Sequence, residues 1–239
     1  MNKRAPYRRT RSDETVDAPV SKSEQTRSLI LETALKLFSE RGYEETTMRT
    51  IAEKAGVALG NAYYYFRSKE HMIQAFYFRL HERNRETCGP ILEKEKTLKR
   101  RLLAVMTQIL INMEPYHQFA SVLFRTAADP QSPLNPFSSE SEKVRKESVA
   151  WFAEVLKGIK TKIPQDLADQ LPMLLWLYQM GIVLYWIHDS SPNQAKTWRL
   201  MEQTVEIITR LIALASLPLM RPLRGSMLKL MADLREREA

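Results

Sequence analysis

The chain has 239 residues, 44% hydrophobic and 27% charged, a balance that excludes a disordered or fibrous protein and allows a sizeable core, in one large domain or in a small lobe joined to a larger one. A formal charge of +8 and a pI near 9.5 favour polyanionic partners, because Lys and Arg that neutralise phosphates release condensed counterions. The single cysteine, Cys88, excludes an intrachain disulfide, and the N-terminal stretch lacks the apolar core of a signal peptide, so the expected compartment is the cytoplasm.

Residues 1–22 hold Lys3, Arg4, Arg8, Arg9 and Arg11 and almost no large apolar side chains. They read as a basic arm, either tracking phosphates or simply solvated. From Ser23 the pattern turns helical, with Ile30, Ala34, Leu37 and Phe38 on one face and Gly42 as the stop. Thr46 and Thr47 are N-cap candidates for a second, short helix that carries Met48, Ile51, Ala52 and Ala55 inward. Gly56 breaks it, Val57 pins the turn, and a third short helix runs from about Leu59 to Phe66. Ser68 caps a fourth helix, whose Ile73, Phe76, Tyr77 and Leu80 face inward and which is predicted to end at Gly89 and Pro90.

Further helices are predicted over Leu98 to Asn112, Tyr116 to Ala127, Glu140 to Ile159, Gln165 to His188 and Gln194 to Leu217, with a proline-rich loop from Asp129 to Phe137. No stretch shows the apolar alternation of a strand, so the predicted fold is all-α. Its expected parts are the arm (1–22), a three-helix N-terminal domain (23–68), a larger helical bundle (69–220) and a charged C-terminal helix or tail (221–239). Leu171 to Ile187 (LPMLLWLYQMGIVLYWI) is apolar enough to raise a membrane-associated reading. It is short for a span, which wants roughly 20 apolar residues, and it carries Pro172 and Gln179; burial in a protein or dimer core is the preferred reading.

Two short helices joined by a tight turn, the second aimed outward, form the unit that enters a DNA major groove. Met48, Ile51, Ala52, Ala55, Val57 and Phe66 can build its small core, which leaves Arg49, Leu59, Gly60, Asn61, Tyr64 and Tyr65 pointing outward. The run Tyr63 to Phe66 cannot place every ring on one side of a helix, so some must meet solvent or a partner. The stretch TTMRTIAEKAGVALGNAYYYFRSKEHM, preceded by LILETALKLFSERG, resembles the signature of the tetracycline repressor family of bacterial regulators over about Thr26 to Tyr77. That resemblance implies a DNA-binding transcriptional regulator, commonly a repressor, that binds a palindromic operator as a dimer. It implies Thr47 and Arg49 as groove-facing residues, with Arg49 suited to a guanine. Leu59, Gly60, Asn61, Tyr64 and Tyr65 match the recognition-helix surface, and Tyr63 and Lys69 match phosphate-binding positions. Ala58, Leu59 and Ala62 depart from the family pattern, so the operator sequence does not follow from it.

The resemblance further implies that the downstream helices bind a small effector and dimerise. The helices Gln165 to His188 and Gln194 to Leu217 are the expected homodimer surface. Phe119, Phe124, Trp151, Trp176, Tyr178, Gln179 and Tyr185 are the expected pocket residues, with His117, Arg125 and His188 as further polar candidates. No nucleophile elbow, glycine-rich phosphate loop, HExxH or cysteine pair is present, and His71, His81, His117 and His188 lack metal-ligand spacing. Neither catalysis nor a cofactor or metal is expected, and an activator built on the same fold stays open as an alternative.

Overall fold

The computed structural model describes residues 21–226 and 229, and among these every regular element is a helix. In chain order these are α1 (Lys22–Arg41), α2 (Met48–Ala55), α3 (Leu59–Tyr65), α4 (Lys69–Lys94), α5 (Leu98–Met113), α6 (His117–Ala127), α7 (Glu142–Leu156), α8 (Gln165–Ala168), α9 (Leu171–His188) and α10 (Ala195–Ala215). The basic arm, except its last two residues, and most of the C-terminal tail lie outside the described residues.

The start of α1 is set by a reciprocal cap two residues before the apolar period shows itself. Ser21 Oγ accepts from the Glu24 amide at 3.1 Å, and the Glu24 carboxylate accepts from the Ser21 amide at 3.0 Å. Gly42 ends the helix at φ +93°, where an L side chain would be strained, and its amide donates to the Phe38 carbonyl. The two threonines then divide the labour. Thr46 is buried and donates to the Gly42 and Leu37 carbonyls, whereas Thr47 is the N-cap of α2 and accepts from the Thr50 amide at 3.2 Å. Ala58 occupies the N-cap of α3 with no side-chain bond to offer.

The inward sets of α1 and α2 are buried as their periods require. They join Ala62, Phe66, Met72, Ile73 and Phe76 in one core, which continues into the lobe through Phe119, Leu123, Ala127 and Leu134. The head and the lobe therefore share apolar packing across α4.

Two predicted boundaries move. The helix α4 does not stop at Gly89 and Pro90 but runs on to Lys94. Pro90 removes one amide and crowds the carbonyl of Glu86, yet both residues lie on the exposed face, where that carbonyl meets water. On the opposite face Cys88 is fully buried. Arg101 of α5, only 4% exposed, completes the end of α4 by donating to the Leu92 and Glu95 carbonyls. Through its Nε and Nη2 it also donates to Val155 at 2.7 Å and Glu154 at 2.9 Å, so one guanidinium closes the last turns of both α4 and α7.

The predicted helix Gln165 to His188 breaks into α8 and α9. Pro172 lacks the amide that would reach Ala168, and the chain re-enters the helix with this proline in its first turn. The whole stretch is long and apolar enough to cross a membrane. One side of α9 is core, with Leu175, Trp176, Ile182, Trp186 and Ile187 buried, while Leu177, Leu184 and Tyr185 are exposed. Along α10, Met201, Val205 and Ile212 are buried, and Ile207, Leu211 and Leu214 form a second exposed apolar stripe.

Candidate nucleic-acid interface and cavity

The outward face of the head follows from what α2 and α3 bury. Ala62 and Phe66 turn into the core, which leaves Gly60, Asn61, Tyr63 and Tyr64 exposed on α3, Tyr64 at 80%, with Thr47 and Arg49 exposed at the start of α2. An exposed pair of tyrosines on α3, with a guanidinium exposed at the start of α2, is poorly suited to water alone. It fits a surface that combines flat apolar contact with hydrogen bonding.

Three residues of the sequence-derived set are less free than the resemblance implies. Leu59 is half-buried against the head core. Tyr65 packs edge-on against Tyr64, and its hydroxyl lies 3.3 Å from Ser23 Oγ of α1. Lys69 donates to the Tyr43 carbonyl at 2.7 Å and sits over the Tyr43 ring. Its ammonium ties the α1–α2 loop to α4 and is not aimed outward. The Tyr43 hydroxyl completes this tie by donating to Glu70 at 2.5 Å. Burial works against ionisation of Glu70, but hydrogen bonds from Ser68 and Tyr43 and the charge of Lys69 hold its carboxyl below the usual range. Sequence reasoning passed over Arg27 and Arg67, which with Tyr64 and Tyr65 line a notch between α1, α3 and α4; the Arg27 guanidinium lies 5.0 Å from the Phe66 ring centre.

In the lobe, α4, α5, α6, α7, α9 and the loop 128–141 line a partly open cavity of about 360 Å³. Of the expected pocket residues it brings together Phe124, Trp176 and Gln179. The others lie elsewhere, each held by a different need. Phe119 belongs to the core between head and lobe, with Phe38 at 6.0 Å and Phe76 at 5.2 Å between ring centres. Trp151 is buried in the lobe core, the Tyr178 hydroxyl bonds Thr204 of α10 at 2.6 Å, and Tyr185 is exposed. His117 bonds the Trp186 carbonyl, His188 bonds the Leu184 carbonyl, and Arg125 is exposed.

From α5 and α6 come Ile109, Met113, Leu123 and Phe124, all apolar; α4 and α7 add Ile73, Phe76, Leu80 and Val144 and also the polar Tyr77, His81, Asn84, Arg145 and Ser148. Ser148 donates to the Val144 carbonyl at 2.9 Å, so the His81 Nε2, 3.0 Å away, carries the proton and donates to Ser148. Burial, reinforced by the positive charge of Arg85, pulls the His81 imidazole down to about 4 and keeps it neutral. Asn84 accepts from Asn112 of α5 at 2.7 Å. Arg145 donates to the loop carbonyls of Pro136 at 2.6 Å and Ser138 at 3.1 Å. The α4 polar set was legible in principle: the apolar stripe of Ile73, Phe76 and Leu80 continues through Tyr77, His81 and Asn84 at helical spacing.

The helix α4 thus starts in the head and lines the cavity with its middle turns. Arg79 of α4, within the span that lines the cavity, pairs with Glu32 of α1 at 2.5 Å and donates to the Tyr116 hydroxyl at 3.1 Å. These contacts bind α1, α4 and the entry to α6 into one unit.

Residues 30–76 match the sequence model described as bacterial regulatory proteins of the tetR family, and residues 101–225, more than half of the chain, match the tetracyclin repressor-like C-terminal domain. The chain is 22% identical over 180 residues to the HTH-type transcriptional regulator TtgR of Pseudomonas putida, covering 69% of this chain and 81% of that protein. It is 28% identical over 153 residues to the uncharacterised HTH-type regulator YuxN of Bacillus subtilis, covering 62% of this chain and 50% of the relative. Solved structures share the fold. A putative TetR-family regulator from Syntrophomonas wolfei aligns with a TM-score of 0.66 at 16% identity over 79% of this chain and 96% of that one. The regulator FadR of Bacillus subtilis, solved in complex with stearoyl-CoA, aligns with a TM-score of 0.60 at 18% identity over 74% and 96%. The two sequence models cover most of the helix-turn-helix head and most of the cavity-bearing lobe, and the chain belongs to the tetracycline repressor family of helix-turn-helix transcriptional regulators.

Proposed function

We propose that this protein is a cytoplasmic repressor that binds a palindromic operator as a homodimer and is released when a small, largely apolar molecule fills the cavity in its lobe. The observation that carries the reading is α4, which spans the head core and the cavity wall in one unbroken helix. A ligand that binds one position of α4 better than another then biases the DNA-binding state. The exposed faces of α9 and α10 support a twofold interface, because Leu177, Leu184 and Tyr185 on one helix and Ile207, Leu211 and Leu214 on the other would pack against their own copies. The B. subtilis regulator of like fold was solved with stearoyl-CoA, whose acyl chain is apolar, which supports an effector with a largely apolar part.

Arg49 is assigned to base recognition, with Thr47, Gly60, Asn61 and Tyr64 around it; Tyr63 contacts phosphate, and Leu59 and Tyr65 contribute from their half-buried positions. Footprinting on the DNA flanking the gene for this protein tests the assignment. Arg49→Ala lowers operator affinity by roughly 5- to 150-fold for each half-site and relaxes preference at one base pair in each, whereas Tyr63→Ala weakens all sequences alike. Retained binding in both variants refutes this reading face.

A further inference from the structure

The residues that line the cavity include a single formal charge, the guanidinium of Arg145, and no carboxylate. This charge meets the carbonyls of Pro136 and Ser138 rather than an acid, and both bonds are made by the same nitrogen, Nη1. Arg145 therefore keeps donor capacity on its remaining guanidinium nitrogens at the edge of the cavity; the carboxylate its charge reaches, Glu142, is not among the lining residues. The second basic group on this wall cannot supply or cancel charge. His81 is neutral, its proton is committed to Ser148, and Arg85 adds to the positive potential around it. A cationic ligand is opposed by the guanidinium of Arg145. A wholly apolar ligand would leave the remaining donors of the half-buried Arg145 without a bond from the ligand.

Resting on the effector reading above, we propose that the cavity takes an amphipathic carboxylate, its apolar body against α5, α6 and α9 and its anionic group on Arg145. The guanidinium presents a planar fork that matches a carboxylate, and its position on α7 next to the loop 128–141 puts the charged end of the ligand at the loop side of the cavity. That loop also holds α4, through the bond from Gln74 to the Glu140 carbonyl.

Titration calorimetry at pH 7.5 on the full chain compares two matched pairs, sodium octanoate with 1-octanol and 2-naphthoate with 2-naphthol, each also added to the operator complex. The acid of at least one pair binds tenfold or more tightly than its alcohol. Arg145→Gln brings that ratio close to one without loss of alcohol binding, Arg145→Lys retains part of it, and Arg125→Gln, an exposed arginine on α6, leaves it unchanged. Should Arg145→Gln fail to fold, the acid-to-alcohol ratio of the wild type and its retention in Arg145→Lys decide the matter. Alcohols that bind as tightly as their acids, or a ratio indifferent to Arg145, overturn the carboxylate assignment and leave the effector cavity standing. If no probe binds and none releases the operator, both the effector reading and this proposal fall.

Discussion

His81 makes the folded chain acid-sensitive in a window set by its own environment. An ordinary imidazole titrates near 6.5, while His81, buried and near Arg85, is pulled to about 4. The folded state thus resists a proton that the unfolded state accepts, so stability is full above about pH 6.5 and falls as pH drops towards 4. At 1.36 kcal/mol for each tenfold difference, this one group removes roughly 2 kcal/mol by pH 5 and roughly 3 kcal/mol by pH 4. Against a total stability of roughly 5–15 kcal/mol, such a loss is large. Other groups also titrate in this range, so the assay is a difference: urea unfolding at fixed protein concentration from pH 7.5 to 4 for the wild type and for His81→Gln, which keeps a donor to Ser148 but has no proton to gain. The wild type loses roughly 2–3 kcal/mol more than the variant over that range. Parallel pH dependences for the two proteins would show that His81 is not held neutral by the fold.

Further outcomes follow from single side chains. Arg101→Met leaves the last carbonyls of α4 and α7 without their donor and costs on the order of 2–4 kcal/mol, read as a drop in Tm of roughly 5–15 °C; an unchanged Tm means that water replaces the guanidinium at both helix ends. Phe119→Ala opens the core shared by head and lobe and lowers stability by roughly 3–5 kcal/mol in urea unfolding. A loss below 1 kcal/mol would place Phe119 outside that core. Leu184→Glu with Leu211→Glu charges the two exposed stripes and yields a folded monomer in sedimentation without detergent, with reduced operator affinity; a dimer that persists refutes the twofold surface.

Much of the head was legible because its signals are local. Gly42 and Gly56 mark the only backbone conformations that end α1 and α2 in this way, and the buried positions recur at helical spacing. Thr46 and Thr47 were interchangeable as cap candidates in the sequence. Only the return of the chain past Leu37 and Gly42 made the first a core donor and the second a cap. Pro90 looked like a terminus by the same local logic, and lost to the packing of Cys88 and the reach of Arg101 from the next helix.

The cavity was the least legible part. Aromatic and methionine side chains are equally at home in a core and in a pocket wall, so composition alone pointed to Phe119, Trp151, Tyr178 and Tyr185 as readily as to Phe124 and Trp176. Whether a ring meets a neighbour or an empty space depends on helices far apart in sequence. The sequence by itself determined the all-α fold, the helix-turn-helix head and the family, because caps, turns and short-range periodicity act within a few residues. The tertiary structure alone decided that His81, Asn84, Arg145 and Ser148 face one space, since that depends on where α4 and α7 cross, more than fifty residues apart along the chain.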